Sequence, residues 1–98
     1  SFDAIYSIGA LWYNKAAAYS IELNTLSNDY TPAGTKKYDA KKAQMDDAFV
    51  NALPFFKQAE EINAKDVNTL IALKEIYARQ DKLDLVEEYK KKIDALGN

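Results

Sequence analysis

Apolar residues return at every third or fourth position along almost the whole chain, and that spacing belongs to amphipathic α-helices. Ile5, Ile8, Trp12, Ala16, Tyr19, Leu23 and Leu26 form the first stripe. Tyr38, Met45, Ala48, Phe49, Ala52, Phe56, Ala59 and Ile62 form a second. Val67, Leu70, Leu73, Ile76 and Tyr77 form a third, and Leu83, Val86, Tyr89, Ile93 and Leu96 a fourth. Period-two alternation is hard to find, and only three Gly and two Pro punctuate 98 residues. The expectation is an all-α fold of four helices in two antiparallel hairpins, because the breaks between stripes are short.

The breaks carry their own signals. "SNDYTPAGT" reads as a turn, with Thr31 before Pro32 and Thr35 after Gly34 both eligible as the next N-cap. The second helix is expected from about Lys36 to Asn63. "NAKD" ends it, and Asp66 is a good N-cap for the third. In "RQDK", Asp81 tolerates a left-handed backbone better than most residues. Gly97 suits the C-terminal cap of the fourth helix. Pro54 falls inside the second stripe, where its missing N–H would have bonded the Val50 carbonyl. A kinked but continuous helix is the expectation; a break, with a shorter helix beginning near Leu53, is the alternative.

Composition narrows the function classes. The chain is long enough for one domain with a modest core. A net charge of −2 and a pI near 5.1 argue for neither a nucleic-acid partner nor an anionic membrane. The lysine runs are interleaved with acids and read as solvated helix faces. No apolar run reaches the ~20 residues of a membrane span, so no membrane insertion is expected. With no Cys and no His, there is no thiol nucleophile, no Ser-His-Asp constellation and no Cys-based zinc site. Asp46-Asp47, Glu60-Glu61 and Glu87-Glu88 are helix neighbours that point about 100° apart and so do not converge on one proton or metal. The expectation is a non-enzyme without cofactor or metal; a hydrolase using paired carboxylates is the remote alternative. The chain opens Ser-Phe-Asp with no initiator Met and no visible signal peptide, and is expected to be part of a longer protein.

A repeat lies beneath the four stripes. Ile5, Ile8 and Trp12 match Leu70, Leu73 and Tyr77 at a spacing of 65 residues, while Ala52, Phe56 and Ala59 match Val86, Lys90 and Ile93 at 34. Ile5-x2-Ile8-Gly9-x2-Trp12 followed by Ala52-x3-Phe56-x2-Ala59 resembles the two helices of a tetratricopeptide repeat, whose period is 34. The first unit then carries an insertion of 31 residues, which is expected to lengthen both its helices into a projecting arm. The second unit is a weaker match, with Lys74 at the small-residue position and Lys90 at the aromatic one, as suits a terminal repeat facing water. On this reading one domain spans residues 1–98, with an extended first repeat over 1–63 and a terminal repeat over 64–98. "IGALWYNKA", "ALPFFKQAEEINAKD" and "NTLIALKEIYARQDK" more specifically resemble the C-terminal ends of tetratricopeptide proteins of the Bacteroidetes. That resemblance implies a bacterial protein, with an extracytoplasmic setting (periplasm or cell envelope) expected ahead of a cytoplasmic one.

The family resemblance also implies a binding face. The first helix of each such repeat lines a concave groove, through residues one position beyond the core ones. Carried onto this sequence, that gives Asp3, Tyr6, Ala10 and Tyr13 from the first helix, and Asn68, Ile71, Glu75 and Ala78 from the third, with Arg79 at the rim. Tyr and Arg are frequent interface anchors. The implied partner is a protein or peptide segment. The Lys and Asn set by which some family members clamp a C-terminal carboxylate is not reproduced, since Tyr6 and Ala10 stand at the polar positions. Two other readings compete: Tyr6 and Tyr13 cover a preceding repeat, or the arm self-associates through Tyr19, Leu23, Tyr38 or Met45.

Overall fold

The structure is a computed structural model, described over residues 1–97. Four helices account for it: α1 (Phe2–Leu26), α2 (Pro32–Ile62), α3 (Val67–Arg79) and α4 (Leu83–Leu96). Among the described residues there is no strand. α1 packs along α2 and α3 along α4 as two hairpins, and the α2–α3 contact joins them. α2 and α3 are therefore the inner helices, and α1 and α4 the outer ones.

Each helix start has a local chemical cause. The Ser1 side chain accepts from the Ala4 N–H. Thr31, not Thr35, caps α2: its Oγ1 accepts from the Gly34 N–H at 3.0 Å, and Pro32 takes the first helical position. Asp29 secures that cap, its Oδ1 accepting from the Thr31 N–H at 3.0 Å and from the Thr31 hydroxyl at 2.7 Å. These bonds hold the Asp29 carboxyl below the usual carboxylate range. They also start α2 at Pro32, ahead of the expected Lys36. Asp66 caps α3 through Oδ2, which accepts from the Thr69 N–H at 2.9 Å and the Thr69 hydroxyl at 2.7 Å. Asp81 adopts φ 57° in the α3–α4 turn, as its residue type predicts. Gly97 caps α4 at φ −79°, a right-handed conformation that makes no use of glycine's freedom.

α2 runs unbroken through Pro54, so the break near Leu53 does not occur. Its 31 residues span ~46 Å at 1.5 Å per residue, close to the molecule's 48 Å long dimension. Pro54 is exposed, and Val50 is 53% exposed, so the carbonyl deprived of its helical donor lies on the solvent side of the helix.

The core is centred on the inner helices. Ala52, Phe56 and Ala59 of α2 are buried, as are Leu70, Leu73, Ile76 and Tyr77 of α3. From α1 the fully buried positions are Gly9, Ala16 and Leu23, seven apart, with Trp12 and Tyr19 half-buried beside them. The seam therefore runs through Gly9, and Ile8 is 40% exposed, contrary to its place on the expected stripe. Leu73, its expected counterpart, is buried in the core, whereas Ile8 faces solvent. Ile62, Val67, Leu83 and Leu96 also lie outside the expected core. All four sit at helix ends, beyond the reach of a neighbouring helix.

The first hairpin has helices of 25 and 31 residues, the second of 13 and 14, so an arm extends past α3. A Lys41–Glu22 ion pair at 3.0 Å crosses it, with Lys41 Nζ also 5.1 Å from the Tyr19 ring centroid. Leu23 and Met45, expected as self-association contacts, are buried within the hairpin. Tyr19 and Tyr38 are half-buried against the same core, so this set does not form an exposed surface.

Candidate binding cleft between α1 and α3

α1 and α3 do not close against each other; α2 lies behind both. The space left is a cleft of about 270 Å³ lined by Tyr6, Ala10, Tyr13 and Asn14 of α1, Asn68, Ile71 and Ala72 of α3, and Phe56 of α2. The i, i+4, i+7 spacing of Tyr6, Ala10 and Tyr13 sets one α1 face along one wall. Asn68, Ile71 and Ala72 set the other by the same rule.

Phe56 is the floor. The Tyr6 ring meets it edge to face at a centroid distance of 5.5 Å, and the Tyr13 ring meets it at 6.3 Å and 90°. Tyr13 also makes an edge contact of 5.5 Å with Phe49, while Phe2 stacks on Tyr6 at 5.8 Å. Such contacts prefer these tilted or offset arrangements because ring edges are positive and faces negative. The two tyrosines are thus half-buried rings held from beneath, and their orientation is set before any ligand arrives. Burial, and after it the Glu75 carboxylate, raises the Tyr13 phenol above its ordinary pKa, with Arg79 acting in the opposite sense. Tyr13 is a neutral hydrogen-bonding group at physiological pH.

Five of the nine expected groove residues share this cleft: Tyr6, Ala10, Tyr13, Asn68 and Ile71; Asp3 and Ala78 are exposed and do not line it. Glu75 and Arg79 lie farther along α3, near Tyr13 but off the cleft wall. The Arg79 guanidinium sits 4.8 Å over the Phe49 ring, with Nη1 3.9 Å from the Met45 sulfur. It packs where the arm leaves the stack. Tyr6 and Tyr13 face Asn68 and Ile71 of the second hairpin across the cleft.

Three lining residues, Asn14, Phe56 and Ala72, were not expected from the sequence. Asn14 follows Ala10 by four positions and was accessible to the same spacing argument. Phe56 was assigned to the core, and only the packing of α2 behind the cleft makes it a floor. A larger, shallower depression of about 530 Å³ lies on the arm among Glu22, Thr25, Leu26, Lys37, Ala40, Lys41 and Gln44. It depends on how α1 and α2 pair, and no single-helix pattern announces it.

The cleft offers aromatic faces, the half-exposed Ile71 and two side-chain amides. Among the described residues no cluster of three or more potential metal ligands occurs, and no helix is long and apolar enough to cross a membrane. No protein-family model, curated protein or solved structure matches the chain.

Proposed function

We propose that the chain is a non-enzymatic scaffold of tetratricopeptide type, which holds a protein or peptide segment in the cleft between α1 and α3. The observation that carries this reading is the cleft itself: two pre-oriented tyrosines and Ile71 around a Phe56 floor, with the Asn14 and Asn68 amides at the walls. At about 270 Å³ it is smaller than the ~300–1,000 Å³ of small-molecule sites. It suits one or two side chains of a longer segment, with the asparagine amides free to pair with that segment's backbone.

Repeat-type stacking is supported by three buried positions. Gly9 lets α1 approach Phe56 closely, and Ala52 and Ala59 are wholly buried on α2. The matched pairs differ in burial: Ala52 and Tyr77 are buried, whereas Val86 and Trp12 are half-buried. Their places in the stack account for this, since the first two lie on inner helices and the last two on outer ones.

The test is selection of random peptides on the immobilised chain, followed by affinity measurement on variants. Ile71→Glu and Asn68→Ala change exposed side chains and leave the core intact. Loss of about tenfold or more on Ile71→Glu, with none on the α4 control Lys90→Ala, is the expected result for an anchor position. Selected peptides that bind Ile71→Glu as tightly as the parent chain remove the cleft from consideration.

A further inference from the structure

α1 carries only three charged residues, Asp3, Lys15 and Glu22, in 25 positions. Its outward face mixes exposed apolar side chains with the uncharged polar Ser7, Asn14 and Thr25. Here the face pointing away from α2 is open: Leu11 is 70% exposed, Ile21 68%, and Ala18 between them is exposed. The solvent side of α2 is quite different, with Lys36, Lys37, Asp39, Lys42, Asp46, Asp47, Lys57 and Glu61 along it.

We infer that the outer face of α1 pairs antiparallel with the same face of a second copy, about a twofold axis between Ala18 and Tyr19. The charges select this occupant and this orientation. Lys15 and Glu22 are seven residues apart, so they lie on one flank of the face, ~10.5 Å from each other along the helix. A twofold axis midway between them sets Lys15 of each copy opposite Glu22 of the other, and both charges on the face are matched. In an antiparallel pair the like flanks of two helices meet, so the match needs no further rotation. Parallel pairing instead sets the charged flank against the flank of Asn14 and Ile21, with no opposite charge across the interface. The interface is isologous, as a closed dimer requires.

Sterics agree with the electrostatics. Ala18 falls at the crossing point, where a small side chain allows close approach of the two backbones. Leu11 then lies against the partner's last helical turn, near Thr25. In the single chain Lys15 rests 5.3 Å from the Trp12 ring centroid and Glu22 pairs with Lys41. These are exposed contacts of the kind that contribute little, and re-pairing them costs little. The pairing face is centred on Ala18, about two helical turns beyond the Ala10 wall of the cleft. A single helix pair falls at the small end of the interface range, and the dimer is accordingly weak.

The chain contains no cysteine, so single cysteines report on this geometry directly. Under mild oxidation Ala18→Cys is expected to form a covalent dimer. Leu11→Cys is not, because the two copies of residue 11 lie ~22 Å apart along the pair. Sedimentation between about 1 μM and 1 mM is expected to show a monomer–dimer equilibrium. Lys15→Glu should weaken it at least tenfold, and Lys15→Glu with Glu22→Lys should restore it. Circular dichroism checks that each variant keeps its helices. A strictly monomeric chain at 1 mM, equal crosslinking at positions 11 and 18, or failure of the charge swap to restore association each overturns the inference.

Discussion

A Cβ placed on Gly9 would lie 3.2 Å from both Cε2 and Cζ of Phe56, and 3.3 Å from the Cβ of Phe55. Phe56 has nowhere to move, since it is 2% exposed and the Tyr6 and Tyr13 rings press on it. Gly9→Ala brings a helix-propensity gain of about 1 kcal/mol. Overpacking of a tight core costs about 1–3 kcal/mol. We expect net destabilisation of about 1 kcal/mol, read as a lower urea midpoint with unchanged slope. A stabilised Gly9→Ala variant would mean that α1 slides freely over Phe56.

Pro54→Ala is expected to act in the opposite direction. It restores an N–H that bonds the Val50 carbonyl and removes the ring from an exposed site. Because a helix-interior proline costs about 3 kcal/mol against alanine, a gain of about 1–3 kcal/mol should appear in chemical denaturation. A loss would show that the proline shapes the helix for packing of the Phe55–Ile62 segment.

Asp66→Ala removes the single acceptor shared by the Thr69 N–H and the Thr69 hydroxyl. Loss of an N-cap costs about 1 kcal/mol. Thr69 is wholly buried, and stranding its hydroxyl adds about 1–2 kcal/mol. Asp66→Asn keeps an acceptor oxygen and should lose markedly less. Equal losses for the two variants, measured by thermal unfolding, would argue against the Thr69 hydroxyl bond.

Tyr89 links stability to alkaline pH. Its hydroxyl donates to Glu60 Oε1 at 2.7 Å, and Lys92 Nζ lies 3.1 Å from Glu60 Oε2. Burial, then the hydrogen bond to Glu60 and its charge, raises the phenol far above the ordinary value of 10.0. A raised pKa means that the folded chain keeps a proton that the unfolded chain releases. The associated stability is complete below pH ~10 and declines as pH rises above it. Tyr89→Phe should lower neutral-pH stability by about 1–2 kcal/mol and flatten the decline above pH ~10. An identical alkaline profile in the variant would assign the effect to another group.

Much of the helix frame was legible because helix starts and stops are local. A side-chain oxygen three residues before an N–H, as at Asp66 and Thr69, needs no tertiary partner to act. The left-handed turn at Asp81 belongs to the same class. The start of α2 escaped by a few residues because two threonines were equally eligible, and the Asp29 bonds to Thr31 decided between them. The resemblance to the tetratricopeptide pattern had implied a face with Tyr6, Ala10 and Tyr13 on one side and Asn68 and Ile71 on the other. It failed for Arg79, whose destination over Phe49 depends on a ring from a helix far away in sequence.

Periodicity and capping chemistry by themselves determined that the chain is four helices in two hairpins, with the first hairpin the longer. Those signals act over three or four residues and survive in the isolated sequence. Tertiary structure alone decided which side of each stripe is covered: Leu73 and not Ile8, Phe56 as both core and cleft floor. Burial requires an opposing surface, and an outer helix has one on a single side only.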